Sequence, residues 1–233
     1  METLTPKMQV VVVFYSRFGA LKVLAEQIAE GAWSVEDVEV HLLPIGDDPI
    51  EALQSGEQVG DMTMRRAQVL GELGAADVVI VGAPAYFGGM ASPMKRFFED
   101  CATVGNAVMT DRSRPWRHYL FRDKVGAAFT SSATTHGGNE QALHSILTMM
   151  MHLGMVVITP GQEEPILQND AAPYGATTIT GSDGNRTPTP ADQETARALG
   201  KRAALRGMWL MTGRTEWEKR HGAVWAHTNT YPD

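Results

Sequence analysis

Residues Gln9–Gly19 read QVVVVFYSRFG. Five apolar residues, Val10 to Phe14, run without a break and then give way to Ser16-Arg17-Phe18-Gly19. An uninterrupted β-branched run ending in a small polar turn is the pattern of a buried parallel strand feeding a helix. Past the turn, Leu21, Leu24, Ala25, Ile28 and Ala32 recur at helical spacing, which predicts a helix from about Ala20. A strand–turn–helix of this kind aims backbone N–H groups and the positive helix end at one point, a ready site for an anion such as phosphate. The loop is neither a GxxxxGK[ST] phosphate loop nor a GxGxxG dinucleotide turn, so an ordinary connection remains an alternative at this point.

Working outward, Glu39–Leu43 alternates and ends at Pro44, which reads as a second strand. Gly46 to Gly74 is acidic and polar and reads as a loop with a short helix. Asp77–Val81 is another uninterrupted strand, ending at Gly82-Ala83-Pro84, and a helix from about Ser92 to Ala102 turns Met94, Phe97 and Phe98 inward. Val125–Thr130 makes a fourth strand, Glu140–Leu153 a helix, Met155–Thr159 a fifth strand and Ala191–Met211 a last helix. Strands alternating with helices give an open parallel sheet covered on both faces. The expected fold is α/β: a doubly wound, flavodoxin-like, five-stranded parallel sheet in the order 2-1-3-4-5, with its ligand at the C-terminal strand ends. Residues 1–212 form this domain, with an insertion over about 103–122 that holds Arg112, Arg114, Trp116, Arg117, Tyr119 and Arg122. Residues 213–233 form a C-terminal extension with Trp217 and Trp225.

The composition, 43% hydrophobic and 20% charged over 233 residues, suits such a domain, large enough to bury a core without disulfides. A formal charge of −7 argues against a broad nucleic-acid surface. The single cysteine, Cys101, falls on an apolar helical stripe with Phe97 and Phe98 and reads as core. No stretch reaches about twenty apolar residues and the first residues carry no apolar signal region, so a cytoplasmic protein away from membranes is expected. His144 and His152 stand eight apart on one helix, which is not ligand spacing, so no metal is expected.

Three loops converge on the expected crevice: Ser16–Leu21, Ala83–Met90 and Ser131–Gly138. They offer backbone amides, small hydroxyls and flat aromatics, but no acid–base pair and no nucleophile beside a base. Such a surface suits a planar, phosphorylated cofactor that brings its own reactivity, and flavin mononucleotide (FMN) fits it.

At FYSRFG, Pro84–Met90 (PAYFGGM), Ser131–Gln141 (SSATTHGGNEQ), Leu153–Val156 (LGMV) and Pro173–Gly184 (PYGATTITGSDG) the chain resembles the WrbA-type NAD(P)H:quinone oxidoreductases, flavodoxin-fold proteins that bind FMN and form tetramers. The likeness runs from about Gln9 to Arg206. It implies that Ser16, Arg17, Phe18, Gly19, Ala20 and Leu21 hold the FMN phosphate, that Pro84, Ala85, Tyr86, Phe87 and Gly88 border the ring, and that Ser131, Ser132, Ala133, Thr134, Thr135, His136 and Gly137 wrap its polar edge. Phe18, Tyr86 and Trp116 would wall the substrate pocket, and Tyr86 is the one candidate proton donor in otherwise flavin-centred chemistry. The chain departs from the family where Ala85-Tyr86 replaces Thr-Arg, where Ala20 replaces histidine, and where Leu153 replaces a flavin-side histidine. The implied function is FMN-dependent two-electron reduction of quinones by NADH or NADPH, in a homodimer or homotetramer. A flavin-binding regulatory protein or a one-electron carrier of the same fold are the alternatives.

Overall fold

The computed structural model describes residues 7–49, 54, 56, 58–59, 62–104, 120–162, 168–169 and 171–222. Residues 105–119 of the expected insertion, with Trp116, and residues 223–233 of the expected C-terminal extension, with Trp225, lie outside the described residues.

The quoted stretch forms β1 (Met8–Tyr15), which is the second strand of the sheet. It pairs in parallel with β2 (Val38–Ile45) on one side and β5 (Val78–Tyr86) on the other. The last of these pairs in turn with β7 (Val125–Ser132). Val10 and Val12 face one side of the sheet, Val11 and Val13 the other, and both faces are buried. The strand therefore needs an unbroken apolar run, as its sequence supplies.

The sheet has seven strands, not the five expected. One addition is β6 (Gly89–Met90), which folds back antiparallel on β5. The other is β9 (Ala176–Ile179), which no expected strand covered. Of the expected fifth strand, Met155–Thr159, only β8 (Val156–Val157) forms; it pairs with the start of β7, and β9 pairs with the end of β7. Ile158 still donates to Gly126 O at 2.8 Å, but Pro160 has no N–H to continue the ladder. The chain leaves the sheet there, and a Gly161 N–H to Pro173 O bond of 3.0 Å ties the neck of the excursion. A separate antiparallel pair, β3 (Gln58–Val59) with β4 (Met62–Thr63), lies in the stretch expected to be a loop.

Helix α1 (Ala20–Trp33) and helix α5 (Pro190–His221) cover the face carrying Val10, Val12, Ile80 and Phe129. Helices α2 (Met64–Ala75), α3 (Ser92–Val104) and α4 (Asn139–His152) cover the other. Cys101 is buried there, beside Phe97 and Phe98. The last helix starts one residue before its expected position and ends ten residues after it. Its start is fixed by a capping box: Asp192 N–H donates to Thr189 Oγ (3.1 Å) and Thr189 N–H to Asp192 Oδ2 (2.9 Å), with Pro190 in the first turn. The same carboxylate accepts from the Thr178 hydroxyl at 2.8 Å, joining α5 to β9. A Cβ on Gly200 would stand 1.9 Å from Ile28 O, and one on Gly31 2.0 Å from Arg197 O. The two helices thus meet backbone to backbone. Among the described residues no helix is long and apolar enough to cross a membrane.

Candidate functional site

β1 and β5 are neighbours whose connections run to opposite sides, so a crevice opens beyond their C-terminal ends. A cleft of about 180 Å³ lies there, lined by Ser16, Arg17, Phe18, Ala20, Leu21, Pro84, Ala85, Tyr86, Ser131, Ser132, Ala133 and Thr180–Gly184. Eleven of the residues singled out from the sequence therefore come together in one wall.

Gly19 caps α1 with φ 95°, a conformation that turns the chain from strand into helix. Val23 makes the first backbone bond of the helix, to Gly19 O at 3.2 Å, and Lys22 N–H reaches Ser16 Oγ at 3.3 Å. The N–H groups of Ala20 and Leu21 precede these bonds, and no acidic side chain stands in the first turn. The positive end of α1 is therefore presented to the cleft.

Tyr86 and Gly89 pair across the β5–β6 hairpin, with Phe87 and Gly88 as the two-residue turn. Both turn residues have positive φ, 51° and 79°, as in the hairpin turn that matches strand twist. This carries Phe87 out to full exposure at the tip, and it and Gly88 do not line the cleft. Tyr86 stays in the wall near Arg17, and its phenol, more than any other group, raises the Arg17 pKa. The guanidinium also lies 5.8 Å from the Phe18 ring centroid. Behind them Tyr15 donates to the Asp47 carboxylate. Burial first, and then that carboxylate, push the Tyr15 hydroxyl up to about 12.

The β7–α4 loop contributes less than its sequence suggests. Ser132 Oγ donates to Thr134 O (2.7 Å) and Gly137 N–H to the same carbonyl (2.9 Å), so the loop closes on itself. Thr134, Thr135 and His136 stand exposed outside the cleft, and Gly137 is also absent from its lining. Leu153 packs against the core under α4, while His152 is exposed.

A fourth loop, Thr180–Gly184, was not expected to line the site. Thr180 N–H donates to Ser132 O (2.8 Å), Gly184 N–H to Gly181 O (3.1 Å), and Asn185 N–H to Asp183 Oδ1 (3.2 Å). Bonds from the Asn185 backbone and side chain hold the Asp183 pKa below the usual carboxylate range. Gly184 lies against the Phe18 ring, where an added Cβ would come within 2.8 Å. The signal was present: a Thr-rich alternating run that breaks into Gly-Ser-Asp-Gly has the form of a strand delivering a turn to the sheet edge.

Residues 15–163 match the family described as NADPH-dependent FMN reductase. Among curated relatives, the NAD(P)H dehydrogenase (quinone) of Acidovorax ebreus (strain TPSY) is 38% identical over 202 residues, covering 84% of this chain and 94% of that protein. The protein of the same name from Geotalea uraniireducens (strain Rf4) is 35% identical over 206 residues, 84% and 96% of the two chains. Among solved structures, a flavodoxin, WrbA-like protein from Agrobacterium tumefaciens aligns with TM-score 0.56 and 25% identity over 87% of this chain and 99% of that one. An NADH:FMN oxidoreductase aligns with TM-score 0.59 at 12% identity, over 86% and 90%, and speaks to the fold alone. The match spans the turn and helix that follow β1 and both other expected loops of the cleft, and with it the chain belongs to the NADPH-dependent FMN reductase family.

Proposed function

We propose that the protein is an FMN-dependent NAD(P)H:quinone oxidoreductase. The observation that carries this reading is the cleft itself, with the open end of α1 at one wall and the Phe18 and Tyr86 rings beside it. The N–H groups of Ala20 and Leu21 and the Ser16 hydroxyl suit a phosphate. Ser131, Ser132 and Thr180 supply polar atoms at the other side, and Pro84 and Ala85 an apolar floor. Bound there, FMN would accept two electrons from NADH or NADPH and hand them to a quinone. The side chains need then do little beyond stacking flat substrates and excluding water. Among the described residues of the wall, Tyr86 carries the one phenol able to deliver a proton to a reduced quinone oxygen. The name of these relatives, NAD(P)H dehydrogenase (quinone), supports the donor and the acceptor.

We further place the protein in the cytoplasm as a homodimer or homotetramer. Trp209, Leu210 and Trp217 stand exposed on α5, an apolar stripe suited to a second subunit. The alternative of a flavin-binding protein without turnover draws on Leu153, which packs into the core and leaves no side chain beside the ring from that position. Spectra after adding FMN, followed by assays with NADH, NADPH and benzoquinone, separate the readings. Quinone-dependent oxidation of the nucleotide is expected. A loaded protein inert to both nucleotides would favour the alternative, and a protein that takes up no flavin would defeat both.

A further inference from the structure

Phe18 lines the cleft but is 62% exposed, so the core does not hold its ring. What it rests on is Gly184, the last residue of the turn that β9 delivers. A Cβ on Gly184 would stand 2.8 Å from Phe18 Cγ, 2.9 Å from Cδ2 and 3.3 Å from Cβ. These atoms are the root of the side chain, so the ring could not give way at its far edge alone. It would have to leave for another rotamer. The bare Cα of Gly184 is therefore a seat for the ring.

The seat is held firmly. Thr180 is buried, and its N–H donates to Ser132 O at the end of β7 (2.8 Å). Arg186 N–H donates back to Thr180 O (2.8 Å) and Gly184 N–H to Gly181 O (3.1 Å), which closes the turn at its neck and at its tip. Asn185 clasps Asp183 through its backbone N–H (3.2 Å) and its side-chain amide (3.3 Å). We infer that Gly184 is a positioning residue for substrate. By carrying no side chain it holds the Phe18 ring in its place in the wall, and the flat ring of nicotinamide or quinone packs against that wall. This rests on the function proposed above. A wall fixed in one rotamer is ordered before the substrate arrives, whereas a loose one must be ordered at each binding event. That cost falls on binding and not on the reacting atoms, so it belongs in KM.

The test uses the FMN-loaded protein, with rates expressed per bound flavin. Gly184→Ala should raise KM for NADH and for benzoquinone by about two- to tenfold, with a much smaller change in kcat. Phe18→Ala should raise both KM values similarly, and the double variant should be no worse than Phe18→Ala, because the seat has no effect without the ring. Gly181→Ala is the control. Its φ of 79° imposes the same backbone strain as the 76° of Gly184, but its Cβ has no atom of Phe18 within 4 Å. Its effect should multiply with that of Phe18→Ala. In NMR spectra, the Gly184 α-proton resonances should move when Phe18→Ala removes the ring beside them. Unchanged KM values in Gly184→Ala overturn the assignment, as does a loss confined to kcat. Independent effects of Gly184→Ala and Phe18→Ala, or Gly184 resonances unmoved by Phe18→Ala, overturn it equally. Coupling of Gly181→Ala to Phe18→Ala as strong as that of Gly184→Ala would trace the effect to strain in the turn and also overturn it. A parent protein that takes up no FMN overturns instead the function on which the assignment rests.

Discussion

At Gly19 the backbone sits at φ 95° with nothing within 4 Å of where a Cβ would stand. A Cβ there meets no protein atom within 4 Å, so its cost is conformational, about 1–2 kcal/mol for an L-residue held left-handed. Relaxing that strain turns the Ala20 and Leu21 N–H groups away from the cleft. Gly19→Val is therefore expected to fold and to lose flavin, read as flavin absorbance per protein after desalting; full occupancy would place the phosphate elsewhere. Two titrating groups outside the cleft set the alkaline stability. Lys124 donates to Gly74 O (2.9 Å) and to Ala76 O, and burial lowers its pKa to about 8, against a weaker opposing pull from Asp77. The folded chain gives up this proton above about pH 8 and the unfolded chain only near 10.5, so unfolding takes up a proton and stability rises with pH between them. Tyr15 works the other way: folded it keeps its proton to about 12, unfolded it loses it near 10.0, so stability falls across that window. In urea midpoints measured against pH, Lys124→Met should flatten the rising limb and Tyr15→Phe the falling one. A slope unchanged in either variant would show that the group named does not govern that limb.

The elements differ in how far their sequences disclose them. β1, β5 and β7 are buried on both faces, so each reads as an unbroken apolar run whatever its neighbours do. β9 does not: Ala176 and Thr178 are buried while Thr177 and Ile179 are partly exposed, and its four residues carry two threonines. Its place beside Phe129–Ser132 is fixed by pairing with a strand more than forty residues away. The turn it delivers, Thr180–Gly184, could not be assigned to the cleft without that pairing. The Ser16–Leu21 and Pro84–Tyr86 walls were legible because each follows directly from an obvious strand. Thr134–His136 stand outside the cleft, in a loop that hydrogen bonds to Thr134 O close on itself, and no local pattern in the sequence discloses those bonds. Between α1 and α5 the decisive residues are glycines, which periodicity counts as neutral. Gly200→Ala would drive a methyl into Ile28 O, 1.9 Å away, and must push the helices apart. A loss of about 1–3 kcal/mol or more is expected by urea denaturation; a midpoint equal to the parent's would mean that the helices do not meet at this point in solution.

On the scale of the whole molecule, the far end of α5 leaves large aromatic side chains exposed. Trp209 and Trp217 are eight residues apart, about two turns, and so share a face; they are 60% and 47% exposed. If that face joins subunits, light scattering of the parent should give a multiple of 25.4 kDa, and Trp209→Lys with Trp217→Lys should bring it down toward one chain. A parent already at the single-chain mass sinks the association. The contact of α1 with α5 bears also on biosynthesis. α5 follows every strand in chain order, yet it covers the face of α1 that carries Leu24 and Ile28. A nascent chain that has emerged only as far as Thr189 holds all of the cleft-lining residues and lacks the helix on which α1 rests. Flavin capture is thereby deferred to the finished polypeptide, and stalled or truncated translation products should leave the ribosome colourless.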